Sequence, residues 1–183
     1  MATLQFTVPG MRETDSTRVV DALENRLIAL IDLELTLKHI HWNVVGENFI
    51  AVHEMLDPQV MGIRAMVDTL AERIATLGGV PIGTPGAVAE GRDWSDYGLG
   101  KALVLEHLGA LDVVYAGVNE SHRKAIAAVA ELDPVSTDLL TAQLADLELY
   151  QWFVRAHLES GTGALRTSGA QTEAEAARAA RNG

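Results

Sequence analysis

The stretch HWNVVGENFIAVHEMLD, residues 41–57, sets His41, His53 and Asp57 close together in a chain without cysteine. Imidazole nitrogen and carboxylate oxygen favour iron, manganese, zinc or magnesium, whereas copper(I) and iron–sulfur clusters need thiolates that this chain lacks. A second acidic pair, Asp68 and Glu72, follows on the same segment. Residues 53 and 57 are spaced i, i+4, as are 68 and 72, so on a helix the members of each pair stand side by side. At about 100° per residue all four fall within one arc roughly 100° wide. The pairs lie roughly 16 Å apart along a helix axis, too far for one metal whose ligand bonds are about 2 Å long.

A second copy of the segment resolves that distance. If two copies pack antiparallel about a two-fold axis, His53 faces Glu72 and Asp57 faces Asp68 in one common register. The crossing then falls between Gly62 and Ile63, where a glycine has no side chain to hold the backbones apart. His41, at the end of the preceding helix, joins His53 and Asp57 from one chain against Asp68 and Glu72 from the other. Each residue also has a plainer reading. Asp57 before Pro58 looks like a helix cap followed by a first-turn proline, and a proline inside a helix costs about 3 kcal/mol, so a kink is expected there. Asp68 and Glu72 read alone are a solvated acidic face paired with Arg64 or Arg73. A lone helical histidine is usually structural, the reading given to His107, His122 and His157. His39 lies roughly 200° around the helix from His41, so the two do not serve one metal.

The elements that must position these groups are helices. The 183 residues, 48% of them apolar, suit one domain with a sizeable core. A net charge of -11 repels nucleic acid and acidic membranes and attracts cations. The N-terminus has neither a basic start nor a long apolar run, and no stretch approaches the roughly 20 apolar residues of a membrane span, so a cytoplasmic protein is expected. Four long segments punctuated by Gly, Pro and Asp read as helices over about 16–45, 48–77, 101–132 and 136–159. Within the first, IDLELTL alternates like a strand. Its Leu, Glu and Lys content and the helical spacing of Val20, Leu23, Leu27 and Leu30 decide for helix. The Gly- and Pro-rich stretch 80–100 carries Trp94 and Tyr97, where a short helical turn is expected. The fold class is therefore all-α: a ferritin-like four-helix bundle with a short helix in the connection between the second and third helices. A generic up-down bundle is the plain alternative. Residues 1–15 form an arm, 16–159 the bundle, and 160–183 a flexible tail.

The segment HWNVVGENFIAVHEMLD, followed by Asp68 in DTLAERIATLGG, resembles the Dps family, the mini-ferritins named as DNA-binding proteins from starved cells. The likeness covers residues 16–159, including DLELYQWFVRAHLE in the last helix. It implies a ferroxidase centre of His41, His53 and Asp57 from one subunit with Asp68 and Glu72 from its two-fold mate. It also implies a homo-dodecamer built from two-fold dimers, hydrogen peroxide as the preferred oxidant of Fe(II), a stored Fe(III) mineral, protection of DNA from oxidative damage, and no organic cofactor. Trp42 is a candidate electron donor, with a packed interface aromatic as its plainer role. Asp138 and Asp146 share a helix face and are candidate residues of an iron-entry pore; acids near a helix start are otherwise simply solvated. The tail sets Arg166, Arg178 and Arg181 against Glu173 and Glu175, so any DNA or nucleoid contact is expected to be weak and salt-sensitive. An ordinary ferritin is excluded, because no histidine has a glutamate three residues before it. The remaining alternative is a noncatalytic nucleoid-binding or metal-sequestering cage.

Overall fold

The computed structural model describes residues 4, 6–92 and 94–182. Among them α1 spans Glu13–Asn43, α2 Phe49–Thr76, α3 Pro85–Gly91, α4 Val104–Val129, α5 Pro134–Leu158 and α6 Glu173–Asn182. Two short strands, β1 Val44–Val45 and β2 Ala102–Leu103, complete the order. On α1 the residues Val19, Leu23, Leu27, Leu30, Leu33, Leu37 and Ile40 are buried at helical spacing, so IDLELTL lies in a helix. None of the described helices is long and apolar enough to cross a membrane.

Hydrogen bonds at the ends fix the directions. Ser16 Oγ donates to the Leu77 carbonyl at 2.9 Å, tying the start of α1 to the end of α2, so the two run antiparallel. β1 pairs with β2 in parallel register, Val44 with Ala102 and Val45 with Leu103, which brings the end of α1 to the start of α4. Asn119 bonds Gln151 at 2.8 Å and Arg155 bonds Asp112 at 2.7 Å, so α4 and α5 are also antiparallel. The 77–103 connection must then travel the length of the bundle, which is the ferritin-like crossover rather than an up-down return.

Three local expectations change. The short helix of the connection is α3, begun by Thr84, whose Oγ1 accepts from Ala87 N–H, and by Pro85 at the first position. Trp94 and Tyr97 are not helical; side-chain bonds hold them instead, Trp94 Nε1 to Asp32 at 2.8 Å and the Tyr97 hydroxyl to His107 at 2.9 Å. At Pro58 there is no helix start, because α2 runs through it unbroken from Phe49. The missing donor costs little here, since both Pro58 and Glu54, four residues earlier, are exposed and water reaches that carbonyl.

The third change concerns the C-terminal segment. In place of a flexible tail, α6 lies against α4 with Ala176, Ala177 and Ala180 buried. Gly109 makes the approach possible, since a Cβ there would stand 2.6 Å from the Ala176 carbonyl oxygen. Arg181 reaches Glu106 at 3.2 Å, and Glu173 accepts from Gly98 N–H at 3.1 Å.

Asp133 joins two elements. It caps α5 through the Ser136 amide at 3.1 Å and pairs with Arg73 of α2 at 2.6 Å. Burial pushes its carboxyl pKa up, but bonds from Ser136 and Arg73 outweigh that and hold it below the ordinary value. A folded-state pKa below the unfolded one gives stability that is present above the ordinary carboxylate range and is lost as pH falls through the folded value. Stability should therefore decline from roughly pH 5 downward, and Asp133→Asn should flatten that decline in denaturant titrations run across pH. An unchanged slope would remove Asp133 from the acid response.

Candidate metal centre

The turn between α1 and α2 brings His41 and His53 together. Their rings stack at 3.6 Å between centroids and 21° between planes. His41 Nδ1 lies 2.9 Å from the His53 carbonyl, and His53 Nδ1 lies 2.9 Å from the His41 carbonyl. A carbonyl only accepts, so in each ring Nδ1 carries a proton, and Nε2 is the atom that presents a lone pair whenever the ring is neutral. That is the tautomer a metal ligand needs. Phe49 walls the pair, 5.7 Å from the His53 ring.

Asp57 completes the cluster from one turn further along α2. Its Oδ1 is 3.4 Å from His41 Nδ1 and 3.1 Å from Lys38 Nζ. The hydrogen bond from Lys38 keeps this carboxyl below the usual aspartate pKa, with His41 adding to it, so the group is an anion at neutral pH. Lys38 was not foreseen. It lies almost one turn before His41, and Asp57 lies one turn after His53, so the antiparallel register that joins 41 to 53 also joins 38 to 57.

Asp68 and Glu72 are exposed on the solvent side of α2. Their expected arginine partners are committed elsewhere, Arg64 to Glu34 and Arg73 to Asp133 and Ser136. Among the described residues neither carboxylate has an ion-pair partner. No group of three His, Asp or Glu side chains within the described part of one chain is placed to hold a metal. Gly62 does something other than space two copies apart: a Cβ there would collide with the Tyr150 hydroxyl of α5, so its room is used within the chain.

Elsewhere the histidines are structural in their contacts. His39 Nε2 bonds the Leu99 carbonyl at 2.7 Å, His122 bonds Gln143 at 3.3 Å, and His157 bonds the Phe153 carbonyl at 2.8 Å. Burial, with Arg26 adding, pushes the His122 pKa down to about 4, so it sits neutral in the core. Among the described residues the bundle interior is crossed by neutral pairs such as Tyr115 with Gln59 and Asn119 with Gln151, and no cluster of carboxylates and histidines there is placed as in an intra-bundle di-iron site. Trp42 is 71% exposed, with Lys38 Nζ 5.7 Å from its ring centre. Asp138 and Asp146 are exposed along α5 and have no ion-pair partner among the described residues.

The ferritin-like domain family model matches residues 20–163. Over 176 residues, 96% of each chain, the sequence is 54% identical to the DNA protection during starvation protein of Mycolicibacterium smegmatis. The chain belongs to the Dps family. Solved Dps structures superpose closely. That of Mycobacterium smegmatis Dps gives a TM-score of 0.90 at 53% identity, covering 94% of this chain and 97% of that one. DpsA14 from Streptomyces coelicolor gives 0.88 at 58% identity, covering 89% and 97%. The all-α ferritin-like bundle expected for a Dps chain is therefore the fold found.

Proposed function

We infer that this chain oxidises Fe(II), with hydrogen peroxide as preferred oxidant, at centres shared between two-fold related copies, and stores the Fe(III) product as mineral inside a dodecameric cage. The observation that carries the reading is the mutual bonding of His41 and His53 through their Nδ1 atoms, which leaves both Nε2 atoms free of these bonds, with the Asp57 carboxylate 3.4 Å from His41 Nδ1 in the same cluster. His41, His53 and Asp57 supply half a ligand set, and the unpaired Asp68 and Glu72 supply the other half to a mate in the antiparallel register. Leu35, Trp42, Ile50 and Met61, large apolar side chains exposed on α1 and α2, suit burial against such a mate. Two Fe(II) held by imidazole and carboxylate pass two electrons to peroxide, and the oxygen ligands stabilise the ferric product.

The charge of -11 on each of twelve copies draws Fe(II) toward the assembly, and Asp138 and Asp146 are its candidate entry residues. Protection of cytoplasmic DNA follows chiefly from removing iron and peroxide together. Direct DNA or nucleoid contact is weak and salt-sensitive, because α6 sets Arg178 and Arg181 against Glu173 and Glu175, and Arg181 is engaged by Glu106.

The test is anaerobic loading of the protein with Fe(II), then peroxide, followed by ferric absorbance and electron microscopy. Rapid ferric absorbance and electron-dense cores inside closed shells are expected. Oxidation no faster than in buffer, with a DNA mobility shift at low salt, would favour the noncatalytic cage.

A further inference from the structure

A second cluster of chemistry-bearing side chains sits on the other side of α1 from His41. Tyr97 lies in the connection before β2, and its hydroxyl is 2.9 Å from His107 Nδ1 on α4. The two rings are within 13° of parallel, 6.0 Å apart, and the edge of His39 meets Tyr97 at 5.9 Å. His107 is fully buried. Of the three tyrosines in the chain, Tyr115 donates to Gln59 Oε1, an amide oxygen too weakly basic to take a proton. Tyr97 alone, among the described residues, has its hydroxyl within hydrogen-bond distance of an imidazole nitrogen, to which it donates in the tautomer that carries the His107 proton on Nε2.

That pairing has a chemical consequence. Removing one electron from a phenol makes it a strong acid, so the oxidation is facile only where a base receives the proton in the same event. The 2.9 Å separation is within the roughly 2.6–3.2 Å reach of proton transfer. Burial keeps His107 neutral and its lone pair available, while the Asn43 and Gly100 carbonyls and Glu106 favour the imidazolium once it forms. Glu173 of α6 adds negative charge near Tyr97.

We propose that Tyr97 and His107 form a proton-coupled electron donor that serves the metal centre from across α1. The proposal rests on the ferroxidase reading above. When a single Fe(II) meets peroxide, it yields Fe(III), hydroxide and hydroxyl radical. Tyr97 gives one electron to that radical, reducing it to hydroxide; its O–H bond breaks and the proton moves to His107 Nδ1, leaving phenoxyl radical and imidazolium. A further Fe(II) then supplies one electron, becomes Fe(III), and the proton returns to Tyr97. The sum is two Fe(II) oxidised for each peroxide even at a half-filled centre. The electron crosses one helix, about 10–12 Å with its side chains.

Two arms test this. In iron-free full-length protein, a photogenerated ruthenium(III) polypyridyl oxidant should produce phenoxyl absorbance that Tyr97→Phe abolishes. His107→Gln should slow its appearance roughly a hundredfold, as expected for loss of a positioned base, and shrink its deuterium isotope effect. In the second arm, protein with fewer Fe(II) than chains receives peroxide and is frozen for electron paramagnetic resonance. A tyrosyl signal is expected in wild type, with its loss and increased trapped hydroxyl radical in Tyr97→Phe. A signal that survives in Tyr97→Phe, or trapped radical that does not rise, overturns the proposal. If iron stays ferrous in wild type, the ferroxidase reading and the link to metal both fall, while the ruthenium arm still decides whether the pair is a donor.

Discussion

Replacing Asp68 and Glu72 together by alanine is expected to abolish peroxide-driven iron oxidation without unfolding the chain. Both side chains are exposed and make no ion pair among the described residues, so their removal should change stability by no more than about 0.5 kcal/mol. Loss of two carboxylates from a shared centre should lower the oxidation rate on the order of a hundredfold, comparable to losing essential metal ligation. His53→Ala should do the same from the other side. The decisive result is complementation. When the two defective proteins are dissociated, mixed and reassembled, each mixed dimer has one centre built wholly from intact residues and one lacking both halves. Random pairing then restores about a quarter of the centres. A centre confined to one chain restores none, so a mixture as inactive as its components would refute the shared site.

Asp112→Ala is expected to be the most damaging single change to the fold. The Asp112 carboxylate accepts from Gln151 at 2.8 Å, Arg155 at 2.7 Å and Thr167 at 3.3 Å, so one side chain joins α4, α5 and the segment leading to α6. Gln151 is buried and its other end is held by Asn119, so its amide cannot turn to water. Arg155 is 43% exposed and recovers part of its hydration, which moderates the loss. Gln151 Nε2 keeps its bond to the Asp112 backbone carbonyl at 3.2 Å. The one buried N–H left unsatisfied costs about 1–3 kcal/mol, and with a charge-assisted bond lost as well the total should be about 3 kcal/mol. For a chain of this length that lowers the thermal midpoint on the order of 6–12 °C. Asp112→Asn, which keeps one acceptor oxygen, should lose about half as much. Equal midpoints for Asp112→Ala and wild type in calorimetry would show that the cluster is not what binds these elements.

How legible these features were depended on the range of the forces that set them. α1, α2, α4 and α5 announce themselves through apolar spacing, because long helices bury one face continuously. The ligand-type residues were legible for the same reason: helical periodicity alone puts His53, Asp57, Asp68 and Glu72 on one arc. α3 carried a clear signal in Thr84 and Pro85, overshadowed by the aromatic residues that follow. α6 was hidden by a composition rich in Gly, Ala, Ser and Thr. Its signature was nevertheless present in Thr172 and Glu175, three apart, which exchange the bonds of a capping box, Glu175 Oε2 with the Thr172 amide and Thr172 Oγ1 with the Glu175 amide. The pairing of β1 with β2 could not be read, since two-residue strands have no periodicity and their register follows from helix packing. Likewise the partner of Gly62 is Tyr150, a neighbour in space that no spacing along α2 reveals.

If the metal centre is shared between two copies as proposed, the mutual clasp of His41 and His53 makes assembly and metal uptake reciprocal in their thermodynamics. Each ring is immobilised by the other residue's backbone before any metal arrives, so little side-chain freedom remains to be lost on binding. A metal that bridges this rigid half-centre to carboxylates of a second copy binds the dimer and not the separate chains. By linkage it then favours association by RT ln(1 + [L]/Kd) at each centre. Iron would therefore help to drive the formation of its own container, and a cell rich in ferrous iron would hold more of the protein in assembled form than a starved one at the same protein concentration.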